Sequence, residues 1–505
     1  MRNPLRFVLL STFLLFMAFG TAQAQRVLGV VWELPDDDSQ ALQQLQQFQD
    51  LGITVLELQQ LPSDRLWNEI SQRNLAVYGD LRILFPTTHT FARSDSAFHR
   101  RVRTKIRAFA AQPSVKALNL FTYGAIHQPS FNRAAASFFH HFSALQSIRT
   151  THTDNRITQS PDAPAEFFRY DIRLTPQDLP SPSIPNSSNI EGYRYSPTTK
   201  LRERFLPFKQ VIQATASQPQ KPFFMESSWL LSMTDKYPEL ETILPSLASE
   251  PEPVFPVPDE SLPPPGPSPL PIISLLLVWA MLAFHYNMSP LYRKSLFRYF
   301  TGHTFFLNDI FRQHIRSPFP SLIIIIQNAL LISAALFTTF INFWSETGLQ
   351  SLRYHFPDLF LFTGGVYDIF ISSFGITLIF SVTSIFWLYF PHKSLRSITQ
   401  IMTLFAWPLQ INIVFGTVAI GIHVSGGSGN AAMITALLTG LMLVVCLGSF
   451  IATSVDAVQS LSGKRLRYIS STTGLYLLIL AGLTIWLTAF NDPLWQAVEL
   501  SLSLK

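Results

Sequence analysis

Several short apolar runs in the first half of the chain end in, or carry, a carboxylate. Glu33 follows "LGVVW", Glu57 lies in "ITVLEL", Asp80 in "LAVYGD", Asp171 in "EFFRYDIRL" and Glu226 in "KPFFMESSW". Two carboxylates facing each other across a cleft can hydrolyse a glycosidic bond. One acts as acid and the other as nucleophile or base, at roughly 5 Å or roughly 6.5–9.5 Å apart. Glu226 is the candidate nucleophile, with Glu33, Glu57 or Asp80 as its possible partner. Trp32, Trp229 and Tyr123 lie close to these positions and offer rings and a hydroxyl to a sugar. The competing reading is that each carboxylate is solvated or caps a following helix, and that the tryptophans are core or rim packing.

Residues 27 to about 240 alternate strand-like and helix-like segments. "VLGVVWEL", "ITVLELQ", "LAVYGDLRILF" and "VKALNLFTYGAI" are predicted strands, each followed by a predicted helix. That alternation implies parallel βαβ units, in a (β/α) barrel or an open doubly wound sheet. The pattern weakens from 150 to 198, where Pro, Ser, Thr and Asn dominate around the strand "EFFRYDIRL". With "KPFFMESSWLL" the count reaches about six strands, so the expectation is a truncated or degenerate (β/α) barrel.

The whole chain has 505 residues, 48% of them hydrophobic and only 14% charged, which fits a mixed soluble and membrane protein. Residues 1–24 have the charged start, apolar stretch and A-x-A end of a signal peptide. An α/β domain over 25–244 follows, then a Pro-rich linker over 245–269. Six apolar runs of membrane length fill 270–490, and 491–505 is a short tail. Arg293, Lys294, Arg298, Arg312, Arg316, Lys393, Arg396, Lys464, Arg465 and Arg467 fall in alternate loops. The positive-inside rule places those loops in the cytoplasm, with the α/β domain and the C-terminus outside. A bacterial inner membrane, with both ends in the periplasm, is the expected location.

Other chemistries have little support. The single cysteine, Cys446, sits in an apolar run, so neither a disulfide framework nor a cysteine zinc site is expected. His140 and His141 are adjacent and point to different faces of a helix, so no metal site and no cofactor is expected. The net charge of +5 is spread along the chain, without a nucleic-acid footprint. Asn328, Gln327, Gln410 and Asn412 are the polar residues of the span centres, where Asp, Glu, Lys and Arg are missing. An ion-coupled transporter usually needs such charges.

The segments "LGVVWELP", "FQDLGITVLEL" and "KPFFMESSW" resemble the TIM-barrel glycoside hydrolases that use two carboxylates. The resemblance implies that Glu226 occupies the nucleophile position. That family usually carries its acid/base at the end of the fourth strand, where this chain has Tyr123, Gly124 and His127. From about residue 290, the basic segment "SPLYRKSLFRYF" and five clustered spans resemble the bacterial branch of the Yip1 family, which implies a membrane-shaping or scaffold role. The leading expectation is therefore a membrane-anchored envelope protein whose barrel binds a glycan or an envelope partner without catalysis. A tethered glycoside hydrolase using Glu226 is the alternative, and a transporter-like core with an accessory domain is the third. The lipid bilayer is the one partner common to all three. Ligand and oligomeric state are open.

Overall fold

The computed structural model describes residues 26–92, 96–156, 165, 167–174, 184–185, 187–198, 201–249, 268–312, 317–360, 362, 365–391, 397–425, 429–459, 465–489 and 491–502. The signal segment, residues 250–267 of the Pro-rich linker, and Arg316, Lys393, Arg396 and Lys464 lie outside them. The chain forms two compact units that part between Pro265 and Gly266.

The first unit is a closed barrel of eight strands, all parallel. They are β1 (Leu28–Trp32), β2 (Val55–Leu58), β3 (Ala76–Asp80), β4 (Val115–Thr122), β5 (Arg149–Asp154), β6 (Phe167–Ile172), β7 (Ile190–Tyr195) and β8 (Phe223–Glu226). β1 pairs with both β2 and β8, which closes the ring. The barrel is thus complete, and the expected six strands miss β5, "RTTHTD", and β7, "IEGYRY". β5 is polar throughout and β7 carries Glu191, Gly192 and Arg194, so neither reads as an apolar run. The helical layer does depart from the regular pattern. Helices follow β1 (α1, Asp38–Asp50), β2 (α2, Asp64–Gln72), β3 (α3, Thr88–Ala92, and α4, Ser96–Ala110) and β4 (α5, Pro129–His140). They also follow β7 (α6, Leu206–Ala214) and β8 (α7, Ser227–Lys236, and α8, Leu240–Ser249), whereas no α-helix follows β5 or β6 among the described residues. α8 runs five residues past 244, into the segment read as linker.

Six helices of the second unit are long and apolar enough to cross a membrane. Span 1 is Leu270–Met288, span 2 Phe319–Phe343, span 3 Val366–Tyr389, span 4 Ile398–Val424, span 5 Asn430–Val458 and span 6 Arg465–Ala489. They match the six runs read from the sequence. Span 2 is central, with 72% of its most apolar window buried, against 11% for span 6. Its polar residues hold neighbours. Asn412 Nδ2 donates to Asn328 Oδ1 at 2.7 Å and Gln327 Nε2 to the Val278 carbonyl at 3.2 Å, the expected use of amides in hydrocarbon. The tail forms a helix, Asp492–Leu502, against Glu346–His355 of the loop between spans 2 and 3. A Cβ on Gly348 would lie 2.8 Å from the Ala497 carbonyl, so this crossing requires glycine. The contact puts that loop and the chain end on one side, as an even number of crossings demands.

In the barrel, period-two alternation separates two cores. Leu28, Val30 and Trp32 face the helix layer with Leu45 and Phe48. Val31, Val55, Tyr78, Ala117 and Phe224 pack inside the barrel. Gly29 leaves room for the Phe224 ring, which a Cβ there would meet at 2.7 Å. His152 of β5 faces outward, buried between Phe121 and Phe168 at centroid distances of 5.3 and 5.5 Å. Burial pushes its pKa from the usual 6.5 down to about 4. The folded state therefore resists protonation that the unfolded chain accepts. Its contribution is complete above the unfolded value and is lost as pH falls toward the folded one. Barrel stability in the full-length protein should drop by up to about 3 kcal/mol between about pH 6.5 and 4 through this residue. Denaturant unfolding across that range should show His152→Leu with a flatter profile. An unchanged profile in the variant would remove His152 as the cause.

Candidate functional site

The alternation that buries Phe224 and Tyr78 inside the barrel also sends charged side chains inward. On β6 these are Arg169 and Asp171, on β7 Arg194, on β2 Glu57 and on β3 Asp80. Glu57 is fully buried and accepts from Arg169 Nη1, with Arg194 Nη1 at 4.0 Å from its other oxygen. The Arg169 guanidinium lies over Phe224 at 4.5 Å and Tyr78 at 5.3 Å, so the ion pair rests on the aromatic core beneath it. Burial pushes the Glu57 carboxyl above its ordinary value against the pull of Arg169 and Arg194, and Asp80 and Asp171 add to the rise. Burial works against the charge on Arg194. The carboxylates of Glu57, Asp171, Glu226 and Asp80 outweigh it and hold the guanidinium above its usual value. Arg194 thus feels four carboxylates, Glu57 foremost.

Toward the C-terminal ends of the strands, most of these groups are already partnered. Asp80 Oδ1 accepts from the Arg82 backbone N–H at 2.8 Å and from Asn119 Nδ2 at 3.2 Å. Thr153 Oγ1 donates to Asn119 Oδ1 at 3.1 Å, so the chain of bonds links β3, β4 and β5. Asp171 accepts from the Tyr123 hydroxyl, from Ser196 Oγ at 2.6 Å and from Arg173 Nε at 3.0 Å. Glu226 stands apart. It ends β8 at the N-cap of α7, makes no capping bond, keeps 30% of its side chain exposed, and has Arg202 Nη2 at 3.8 Å. Glu33 is exposed, and its backbone N–H donates to Ser227 Oγ at 3.3 Å. Val31 pairs with Glu226 across the β1–β8 seam, so Glu33 and Glu226 belong to adjoining strand ends.

The aromatic candidates separate. Trp32 faces α1, edge-on to Phe48 at 5.6 Å, with Nε1 donating to Gln44 Oε1 at 2.8 Å. Trp229 is enclosed by Tyr195 and Phe208, both at 5.1 Å, and donates to the Arg202 carbonyl at 2.8 Å. Both rings belong to the core between barrel and helices. Tyr123 belongs to the mouth. It stacks on Phe85 at 5.4 Å and carries the Arg173 guanidinium over its ring at 5.4 Å. Tyr123, Phe85 and Arg82 all have positive φ, at 56°, 47° and 56°. Three bulky residues in that region, all following β3 or β4, mark a strained rim.

Arg169, Arg194, Arg173 and Ser196 do not figure among the residues picked from the sequence, yet they build the site. The signal for them is the spacing in "FFRYDIR" and "YRYS", where polar residues recur every second position between large apolar ones. No group of three or more His, Cys, Asp or Glu side chains able to hold a metal occurs among the described residues. No family model, no curated protein and no solved structure matches the chain.

The ion pair yields a stability test. Arg169→Met leaves Glu57 buried without its nearest cation and should cost about 3–5 kcal/mol. The double variant Glu57→Leu/Arg169→Met should recover most of that loss, because an apolar replacement removes both desolvation costs together. Denaturant unfolding of the four proteins in this cycle checks both statements. Additive losses would contradict the pairing.

Proposed function

We propose that the protein is a membrane-anchored envelope protein whose barrel mouth binds a glycan or an envelope partner without catalysing a reaction. The observation that carries this reading is the commitment of the inward carboxylates. Glu57 is held by Arg169 and Arg194, and Asp80 and Asp171 each accept several hydrogen bonds from neighbouring strands. β4 is followed by Tyr123, whose hydroxyl is spent on Asp171. The groups that remain, the half-buried Glu226 and the exposed Arg202 and Glu33, together with the Arg194 guanidinium, can form charge-assisted hydrogen bonds to a polar ligand. A periplasmic location for the barrel accords with the signal segment and the loop charges.

A tethered glycoside hydrolase is the second reading, and one observation favours it. The Glu33–Ser227 hydrogen bond and the Val31–Glu226 pairing bring the exposed Glu33 and the half-buried Glu226 to adjoining strand ends. The two readings separate in one experiment. Full-length protein in detergent, with Glu226→Gln alongside, is screened against envelope and plant-type glycans for binding and for reducing-end release. The expected result is binding with no release by either protein. Release by the native protein that Glu226→Gln abolishes would instead establish hydrolysis, and absence of both binding and release would direct attention to a protein partner.

A further inference from the structure

Span 6 is not a regular helix. A π-turn, Ser470–Gly474, separates Arg465–Ile469 from Leu475–Ala489. Such a turn inserts a residue into the helical ladder and offsets the two halves, and it often marks a functional position. Just before the turn and within it, span 6 is tied to span 3. The Tyr468 hydroxyl donates to the Leu388 carbonyl at 2.9 Å, and Trp387 Nε1 donates to the Ser471 carbonyl at 3.1 Å. Beyond this tie a cleft of about 280 Å³ lies between the two spans. Ile376, Ile379, Phe380, Thr383 and Trp387 of span 3 line it, with Tyr476 of span 6. Phe450 of span 5 stacks on Tyr476 at 4.2 Å and meets Trp387 edge-on at 5.6 Å. Rings from three spans therefore build one aromatic end of the cleft. Its volume is close to the lower end of small-molecule sites, roughly 300 Å³.

The wall is almost wholly apolar, and Ile376, Ile379 and Thr383 are exposed on the outside of the bundle. In a membrane-spanning unit that face meets lipid chains, so the occupant is an extended hydrocarbon. Charge decides which lipid. Arg465 and Arg467 open span 6, both exposed, and Arg467 directly precedes the Tyr468 that ties the spans together. At 1.5 Å per residue, Arg467 lies roughly 13 Å before Tyr476 along the span. A phosphate at the arginines would thus have its chain running down into the cleft. We infer that this cleft holds an acyl chain of an anionic phospholipid whose phosphate is bound by Arg467 and Arg465.

The test uses the full-length protein purified in detergent. It is incubated with equal amounts of dioleoyl phosphatidylglycerol and dioleoyl phosphatidylcholine, and retained lipid is counted by native mass spectrometry. One phosphatidylglycerol per chain should survive in preference to phosphatidylcholine. Thr383→Trp, which fills the cleft from its exposed side, should lose the retained lipid at an unchanged unfolding temperature. Arg467→Gln alters an exposed side chain and should lower the selectivity for phosphatidylglycerol about fivefold, the effect of one surface cation. Equal retention of both lipids by the native protein would overturn the inference. So would undiminished retention in Thr383→Trp, and undiminished selectivity in Arg467→Gln would overturn the assignment of the phosphate.

Discussion

A closed barrel of parallel strands has no face open to water. Each inward side chain must be apolar, or must find its partner across a lumen only a few side chains wide. The Glu57–Arg169 pair is where this constraint bears hardest. Two charges lie in an enclosed interior, on a floor made by Phe224 and Tyr78. Gly29 gives Phe224 its room, and Phe224 gives Arg169 its seat. A change at any of the three therefore propagates to the strand ends above. The register that closes β1 on β8 is the same register that brings Glu33 beside Ser227 and Glu226.

The mouth inherits its chemistry from that floor. Arg194 reaches toward Glu57 below and feels Asp171, Asp80 and Glu226 around it, so the mouth is a balanced array of guanidinium and carboxylate groups. Hydrogen bonds from Tyr123, Ser196, Asn119 and Arg82 fix the acidic members in place. The positive φ at Arg82, Phe85 and Tyr123 is retained because stacking and hydrogen bonding over-determine those positions. The acidic side chains of the rim are thereby held in fixed positions by bonds from neighbouring strands.

The membrane unit obeys the opposite solvent. Hydrocarbon gives no reward for burying leucine, so the bundle is joined by amides, hydroxyls and close crossings around span 2. Asn328–Asn412 is one such joint, and Ser449 Oγ to the Phe405 carbonyl, at 2.7 Å, is another. Phe405 lies just before the 3₁₀ turn Trp407–Gln410, where Pro408 interrupts span 4 and loosens the backbone ladder. Spans 3 and 6 are joined by Tyr468 to the Leu388 carbonyl and by Trp387 to the Ser471 carbonyl, and the cleft lies beside that joint.

Much of this architecture is legible in the sequence, for a physical reason. A membrane span must be apolar over about 20 consecutive residues, and that demand is local. All six spans fall where the runs place them. A barrel strand covered on both faces must also be apolar, and β1 to β4, β6 and β8 announce themselves in this way. β5 and β7 do not, because their inward positions carry Thr151, Thr153 and Arg194, and the outward position between the two threonines is His152. Those residues are acceptable in a strand only once Asn119, Glu57 and the aromatic core stand opposite them. The same is true of the site. Residue type and strand-end position single out Glu226, Glu33, Glu57, Asp80 and Tyr123 from the sequence alone. Which carboxylates are consumed by arginines, and which way Trp32 and Trp229 face, depends on strands more than a hundred residues apart meeting around one axis. Composition and local period determined the elements and their order. Barrel closure alone decided who faces whom, because cross-lumen partners are set by register and not by sequence distance.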